Sequence, residues 1–337
     1  MTDISVSIII CTRNRARSLQ QTLAALGKAR IPLGCVAELI VVDNASTDDT
    51  ASVVANFILD SVRVVHLFEP KKGKSNSLNS ALALARGEIL IFTDDDVAPS
   101  EDWIEQILLC FDDSECDALV GKVKLAPDLE RPWMKYLNKC YLAVNDFESG
   151  EPLHWVGANA AFHRRCLQRV RWFDPELGPG ALGLAEDTLF GCQLMEAGYK
   201  MEYARRAIVV HQPDKSRLTR GAWLHAAWLH AKCDAYVLHH WQHAKIRAAK
   251  IKLLWFQAKL KLRRLFQPPL PLEREGCLDW ELSYVYHLAL CEYFSIERRR
   301  PRNYSRRGLS KLSVLNRPAD IPVVQTPRDD WSEHARV

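Results

Sequence analysis

Three consecutive carboxylates, Asp94-Asp95-Asp96, follow the apolar run Ile89-Leu90-Ile91-Phe92 after a single threonine. Like charges in a row repel, so such a cluster persists most naturally where a divalent cation or a cationic ligand neutralises it. In an extended chain successive side chains alternate, which puts Asp94 and Asp96 on one side and Asp95 on the other. Two same-side carboxylates can share a Mg²⁺ or Mn²⁺ whose remaining positions go to water and phosphate oxygens. A solvated acidic loop is the plain alternative.

Other chemistry-bearing groups fall at comparable places. Thr12-Arg13-Asn14 ends one apolar run and Asp43-Asn44 ends the next. A carboxylate at 43 can accept hydrogen bonds from a ribose hydroxyl or a base N–H, or it can cap the following helix. Lys71-Lys72-Gly73-Lys74 offers cations suited to phosphate, or a solvated basic loop. Leu184-Ala185-Glu186-Asp187-Thr188 opens a helix, where the macrodipole by itself favours an acid. A second carboxylate site beside a metal cluster suggests a division of labour. One binds the cation and the other takes a proton.

The elements that must position these groups alternate. Residues 6–11 and 37–42 are apolar runs suited to buried strands, and 62–68, 88–97 (an apolar run tipped by the acids) and 118–123 read as further strands. Helices are expected over 17–29, from 48 to 56, over 77–85 with Gly87 at the C-cap, and over 103–111. This βαβα succession predicts an α/β fold with a mostly parallel sheet and helices on both faces. Ligands of such sheets bind beyond the carboxyl ends of the strands, where the polar clusters lie. Residues 125–187 are less regular. A helix over 189–197 and a strand over 207–210 then lead to His211.

Composition narrows the class. An apolar share of 48% with 26% charged residues suits a soluble globular chain, and a net charge of +4 does not imply nucleic acid. The ten cysteines form no CxxC pair and no signal peptide opens the chain, so reduced thiols in the cytoplasm are expected. No apolar run approaches the ~20 residues that cross a bilayer. The first apolar run lacks a GxGxxG turn, which lowers the odds of hydride transfer. A sugar nucleotidyltransferase would show a Gly-rich loop there. A haloacid-type phosphatase would want Asp-x-Asp-x-Thr, whereas Val97-Ala98 follows these acids.

At these residues the chain resembles the family-two glycosyltransferases of GT-A fold. The resemblance rests on an ordered set: Val6-Ser7-Ile8-Ile9-Ile10-Cys11-Thr12-Arg13-Asn14, then Val41-Val42-Asp43-Asn44-Ala45-Ser46-Thr47-Asp48, then Gly73-Lys74 through Leu78-Asn79. It continues with Ala85-Arg86-Gly87-Glu88, the three aspartates, Gly157-Ala158-Asn159-Ala160-Ala161-Phe162 and Glu186-Asp187-Thr188. It implies a GT-A catalytic domain over 1–215, with a nucleotide-sugar half over 1–124 and an acceptor half over 125–215.

The implied donor is a nucleoside diphosphate sugar and the acceptor a hydroxyl of a glycan or a lipid-linked sugar. Thr12, Asp43 and Lys74 would hold the nucleotide, with Arg13, Asn14, Asn79 and Asp95 in the same set. Asp94 and Asp96 would match the family's DxD, contacting ribose and the metal, and His211 would complete the metal shell. Asp187 would match the catalytic base beside Glu186. Trp155, Gly157 and Asn159 would line the acceptor side. Ala185 stands where glycine is frequent, and no QxxRW follows, which favours a single addition over processive synthesis. A carbohydrate-binding protein that keeps the fold without catalysis remains the competing reading.

A helical extension over 216–298 and a loose basic tail over 299–337 complete the organisation. Ile246, Ala249, Leu253, Phe256 and Leu260 recur at helical spacing, with lysines and arginines on much of the remainder. The stripe over 244–266 would either pack on the catalytic domain or lie on an anionic membrane surface, peripheral on its inner face.

Overall fold

The computed structural model describes residues 5–59, 62–113, 115–146 and 155–312. The chain falls into two compact units, Met1–Pro213 and Asp214–Val337.

In the first unit the β-branched runs form a single sheet. Strand β1 spans Val6–Thr12, β2 Ala37–Asp43, β3 Val62–Phe68 and β4 Ile89–Thr93. These four are parallel, with β1 between β2 and β4 and β3 outside β2. Every residue of β2 is buried, as expected of a strand covered on both faces, whereas β3 alternates toward solvent as an edge strand does. The sheet continues through β5 (Val97–Pro99), β6 (Ala118–Leu125), β7 (Asn159–His163) and β8 (Met201–His211). Its order is β3-β2-β1-β4-β7-β6-β8-β5.

Two pairings carry polar residues to the end of β4. Strand β7 runs antiparallel between β4 and β6 and pairs Asn159 with Thr93. Short β5 runs antiparallel to the end of β8 and pairs Val97 with His211. Neither β5 nor β7 is expected from sequence. Strand β4 stops at Thr93, so the run expected over 88–97 is two strands with a turn between them.

Helix α1 (Ala16–Leu26) buries Leu19, Leu23 and Leu26 against the sheet. Helix α2 spans Thr50–Ala55, α3 Lys74–Leu84, α4 Trp103–Asp113, α5 Tyr136–Tyr141 and α6 Glu186–Glu196. Helix α3 begins three residues before the expected position because Gly73, at φ 127°, turns the chain where a side chain would be strained. Gly87 is not a C-cap. A Cβ there would stand 2.3 Å from the Ser7 backbone nitrogen, so glycine lets this segment lie against β1.

The second unit contains α7 (Arg220–Tyr236), α8 (Ala249–Phe266) and α9 (Asp279–Glu297). Its interior holds a charged cluster in which Arg220 donates to both oxygens of Glu281, at 2.8 and 2.6 Å, and Arg264 Nε donates at 2.9 Å. Burial opposes ionisation of Glu281, and the two guanidiniums more than offset it, so its pKa lies below the ordinary range. Removing one partner of such a buried pair is costly because the other charge is left stranded. The stripe Ala249, Leu253, Phe256 and Leu260 meets α9 within this unit, with Phe256 stacked 5.0 Å from the His287 ring.

The tail expected to be loose from 299 is folded over its first part. Asn303 donates to the Tyr236 hydroxyl at 2.9 Å, and Arg307 N–H donates to the Trp241 carbonyl at 2.7 Å. The rest of it, 313–337, lies outside the described residues. Among those described, no helix is long and apolar enough to cross a membrane.

Candidate active site

Strand register brings the polar ends together. Thr12 pairs across from Asp43, and Ile10 from Thr93, so the carboxyl ends of β1, β2 and β4 share one edge. The three aspartates occupy the turn between β4 and β5, where the two-residue alternation of an extended strand does not apply. The expected same-side pairing of Asp94 with Asp96 therefore does not occur. Asp94 turns to Lys74, whose Nζ lies 2.6 Å from Oδ1. Asp95 accepts the Thr12 hydroxyl at 2.7 Å and meets Arg15 at 3.1 Å. Asp96 meets Arg15 at 2.7 Å and His211 Nε2 at 3.3 Å.

Burial and charge act differently on the neighbouring acids. Asp95 is buried with Asp96 beside it, and despite Arg15 its carboxyl is pushed up to about 6. Burial opposes ionisation of Asp96 too, but His211 and Arg15 together hold it well below the usual carboxylate range. Arg15, three residues beyond the end of β1, joins Asp95 and Asp96 and was not singled out from the sequence.

His211 carries information about what Asp96 could bind. Its Nδ1 lies 2.7 Å from the Leu142 carbonyl, which can only accept, so Nδ1 bears the proton of that bond. Nε2 then faces the Asp96 carboxylate, an arrangement that needs a proton or a metal cation between the two. A histidine oriented by a backbone carbonyl and paired with a carboxylate is a suitable N,O donor set for a divalent cation. Among the described residues no three His, Cys, Asp or Glu side chains stand close enough to form a shell by themselves. The rest of a coordination sphere would have to come from a ligand and water.

A small pocket lies beside this turn. Cys11, Lys74, Asp94, Trp155, Glu186 and Asp187 contribute to its walls. Lys74 Nζ also lies 3.5 Å from Glu186 Oε1. Burial lifts the Glu186 carboxyl, Lys74 opposes, and the adjacent Asp187 adds to the rise, leaving it at about 7. Asp187 accepts the Gly157 N–H at 2.8 Å and the Thr188 N–H at 2.6 Å, so both its oxygens have donors. A Cβ on residue 157 would stand 3.2 Å from Asp187 Oδ2, close enough to disturb that bond. Trp155 is buried against Phe162 and Phe190 and forms a pocket wall.

Not every expected residue reaches the pocket. Asn79 exchanges two hydrogen bonds with the Phe173 backbone, at 2.9 and 2.8 Å, and clips α3 to that segment. Asn159 is fully buried in β7. It donates to the Lys122 and Ala207 carbonyls and accepts from Trp103 Nε1, which leaves nothing for an acceptor. Asn14 accepts the Thr47 N–H at 2.7 Å and ties the loop after β1 to the loop after β2. Arg13 is half-buried and engages no carboxylate among the described residues. Asp43 accepts the Ser46 N–H at 2.8 Å and lies 3.7 Å from His66 Nε2.

Residues 7–171, which span this sheet edge and the three aspartates, match the model of glycosyl transferase family 2. Over that segment the chain carries a domain of the family. The chain is 26% identical over 218 residues to the probable glycosyltransferase YdaM of Bacillus subtilis (strain 168), covering 61% of itself and 50% of the relative. Over 184 residues it is 26% identical to the O-antigen chain rhamnosyltransferase WbaN of Salmonella anatum, covering 52% of itself and 56% of that protein. It thus spans about half the length of these curated relatives. Among solved structures it resembles the mannosyltransferase PcManGT from Pyrobaculum calidifontis, solved in complex with GDP-Man and Mn²⁺, with a TM-score of 0.54 at 20% identity. That likeness covers 87% of this chain and 86% of the other, and it identifies the fold as GT-A.

Proposed function

We propose that this chain transfers a sugar from a nucleoside diphosphate sugar to an acceptor hydroxyl, one residue at a time, in the assembly of a polysaccharide or related glycan. The observation that carries the proposal is one pocket beside which a cation-oriented acid turn (Asp94–Asp96) and a second acid pair (Glu186–Asp187) stand on either side of Lys74. A transfer that expels an anion and deprotonates a hydroxyl needs those two kinds of group on opposite sides of one carbon.

Breaking the anomeric bond builds positive charge on the sugar ring and negative charge on the departing diphosphate. Lys74 and Arg15 supply fixed positive charge at that edge. Asp96 and His211 would hold a Mg²⁺ or Mn²⁺ together with ligand and water oxygens, and the ion when bound supplies Lewis-acid stabilisation of the leaving diphosphate. Asp187 accepts the acceptor proton as the hydroxyl attacks the face opposite the leaving group, which inverts the anomeric centre. Glu186, buried and tied to Lys74, fixes the start of α6 so that Asp187 faces the pocket. Asp43, at the end of β2, is suited to accept from the nucleoside. The complex of PcManGT with GDP-Man and Mn²⁺ is consistent with this class of donor.

The test is a thermal-shift panel of nucleoside diphosphate sugars with Mn²⁺ or EDTA, followed by donor turnover with and without glycan acceptors. One donor should stabilise the chain and be consumed only with metal. A chain stabilised by a sugar or glycan but turning over no donor would be a binding protein instead.

A further inference from the structure

Helix α8 has two apolar faces. At 3.6 residues per turn, Ala249, Leu253, Phe256 and Leu260 form the arc that meets α9. Ile251, Leu254, Trp255, Leu262, Leu265 and Phe266 fall on the opposite arc, about 120° wide at that spacing. They are exposed, with Ile251 at 71%, Leu265 at 80% and Phe266 at 83% of full accessibility. A helix whose single job was to pack on α9 would carry polar residues on that arc. Scattered exposed leucines are ordinary, but six large apolar side chains on one arc along 18 residues make a continuous patch.

The margins of the patch are basic. Lys250 and Lys261 border it on one side, and Lys252, Lys259 and Arg263 on the other. The Lys259 ammonium lies over the Trp255 ring, 3.7 Å from its centroid, and the Arg263 guanidinium lies over the Trp280 ring of α9 at 5.0 Å. No Asp or Glu occurs anywhere from 235 to 272. The helix is about 27 Å long and has no acid to repel an anionic plane.

We propose that α8 is an interfacial helix that seats this chain on an anionic phospholipid bilayer surface. The exposed arc enters the boundary between headgroups and acyl chains, and the flanking ammonium groups of Lys250, Lys252 and Lys261 reach the lipid phosphates. The charge pattern selects this occupant. A second copy of α8 would bring like charges face to face along the same rim. A nucleic acid would satisfy the lysines but leave six large apolar side chains in water. Only a surface that is anionic outside and apolar beneath uses both features. Helix α8 belongs to the second unit, so lipid contact there is independent of the proposed transfer.

The experiment is flotation of the full chain with phosphatidylcholine vesicles that contain or lack phosphatidylglycerol. The chain should float with the anionic vesicles, be released by raised salt and ignore neutral ones. A Leu262→Ser, Leu265→Ser, Phe266→Ser triple variant should lose at least about tenfold in partitioning with its circular dichroism and melting point unchanged, since these side chains touch no core. Lys250→Gln, Lys252→Gln and Lys261→Gln should each cost about fivefold, a readout that survives if the triple variant misfolds. Trp255→Phe should remove a blue shift in tryptophan emission on vesicle addition. Absence of flotation at low salt would overturn the proposal. So would a triple variant that binds as the parent does, a dimer that dissociates in that variant while the parent ignores vesicles, or capture by a nucleic acid probe with no vesicle binding.

Discussion

Lys74 Nζ stands 2.6 Å from Asp94 Oδ1 and 3.5 Å from Glu186 Oε1, so one ammonium joins the acid turn after β4 to the first residue of α6. Burial opposes its charge, but Asp94, Glu186 and Asp187 raise its pKa well above the ordinary lysine value. The group is therefore charged at any working pH and holds two acidic segments that would otherwise repel. Lys74→Met should destabilise the chain by about 1–3 kcal/mol, less than the usual cost of stranding a paired charge, because Asp94 is partly solvated and buried Glu186 can take up a proton. It should also weaken nucleoside diphosphate binding by about 10- to 100-fold, the worth of a charged hydrogen bond. Calorimetric titration of the nucleotide and a denaturant melt check both. A variant that binds nucleotide as tightly as the parent would remove Lys74 from the donor site.

Glu186 makes stability depend on pH. Its pKa is about 7 in the folded chain against 4.5 ordinarily, so the folded state holds the proton more tightly. Its contribution is fully present below about pH 4.5 and is lost as pH rises through about 7. Asp95, lifted from 3.8 to about 6, adds a parallel loss over an earlier window. The melting temperature should fall as pH goes from 5 to 7. Glu186→Gln should flatten the upper part of that slope, by on the order of 2 kcal/mol, and leave the lower part. Parallel melts of the two proteins across this range decide it, and identical slopes would put the titrating group elsewhere.

Metal affinity should depend on the hydrogen bond that orients His211. The Leu142 carbonyl accepts the hydrogen bond from Nδ1–H and leaves Nε2 facing Asp96. His211→Ala should weaken Mn²⁺ binding in the presence of nucleoside diphosphate by about 10- to 100-fold. EDTA should lower nucleotide affinity in the parent and have little further effect in the variant. Titration followed by Mn²⁺ magnetic resonance reads the ion directly. An unchanged Mn²⁺ affinity would exclude His211 as a ligand.

Ala185 occupies the left-handed region at φ 70°, immediately before α6. A Cβ in that region costs about 1–2 kcal/mol, part of which glycine gives back as unfolded-chain entropy. Ala185→Gly should therefore raise stability by about 0.5–1 kcal/mol without altering the pocket side chains. A denaturant midpoint that moves the other way would mean that the Ala185 methyl has packing worth more than its strain.

The parallel half of the sheet was legible because β1, β2 and β4 are largely apolar runs whose polar stops are residues of a different kind. The acid turn was legible as a cluster but not in its geometry. Alternation assumed a strand through 97, whereas Thr93 ends it, and the turn sends three neighbouring aspartates to different partners. Arg15 could not be chosen from among Arg13, Arg15 and Arg17 because helix α1 starts at Ala16, and the entry angle decides which one folds back. Asn79 and Asn159 misled for a related reason. An asparagine in a polar motif reads as a ligand until its amide is seen spent on backbone carbonyls and N–H groups. Strand β7 hid behind small residues, Ala160 and Ala161, which carry little β signal. Ala160 pairs with Phe92 and shares a face with Phe162, and the rings of Phe92 and Phe162 stack 5.2 Å apart.

Asp187 gives the sharpest test of the chemistry. Its oxygens accept the Gly157 and Thr188 N–H groups, which fix the carboxylate without consuming all its lone pairs. Asparagine keeps the size and one acceptor oxygen but cannot take a proton at neutral pH. Asp187→Asn should lower turnover by about 10²- to 10⁴-fold, the usual worth of a positioned base. Nucleotide affinity should stay near that of the parent, because Lys74, Asp94 and Asp96 are untouched. Single-turnover transfer measured beside equilibrium nucleotide binding separates the two effects. Turnover within about tenfold of the parent, ~1.4 kcal/mol in barrier, would show that the proton leaves by another route.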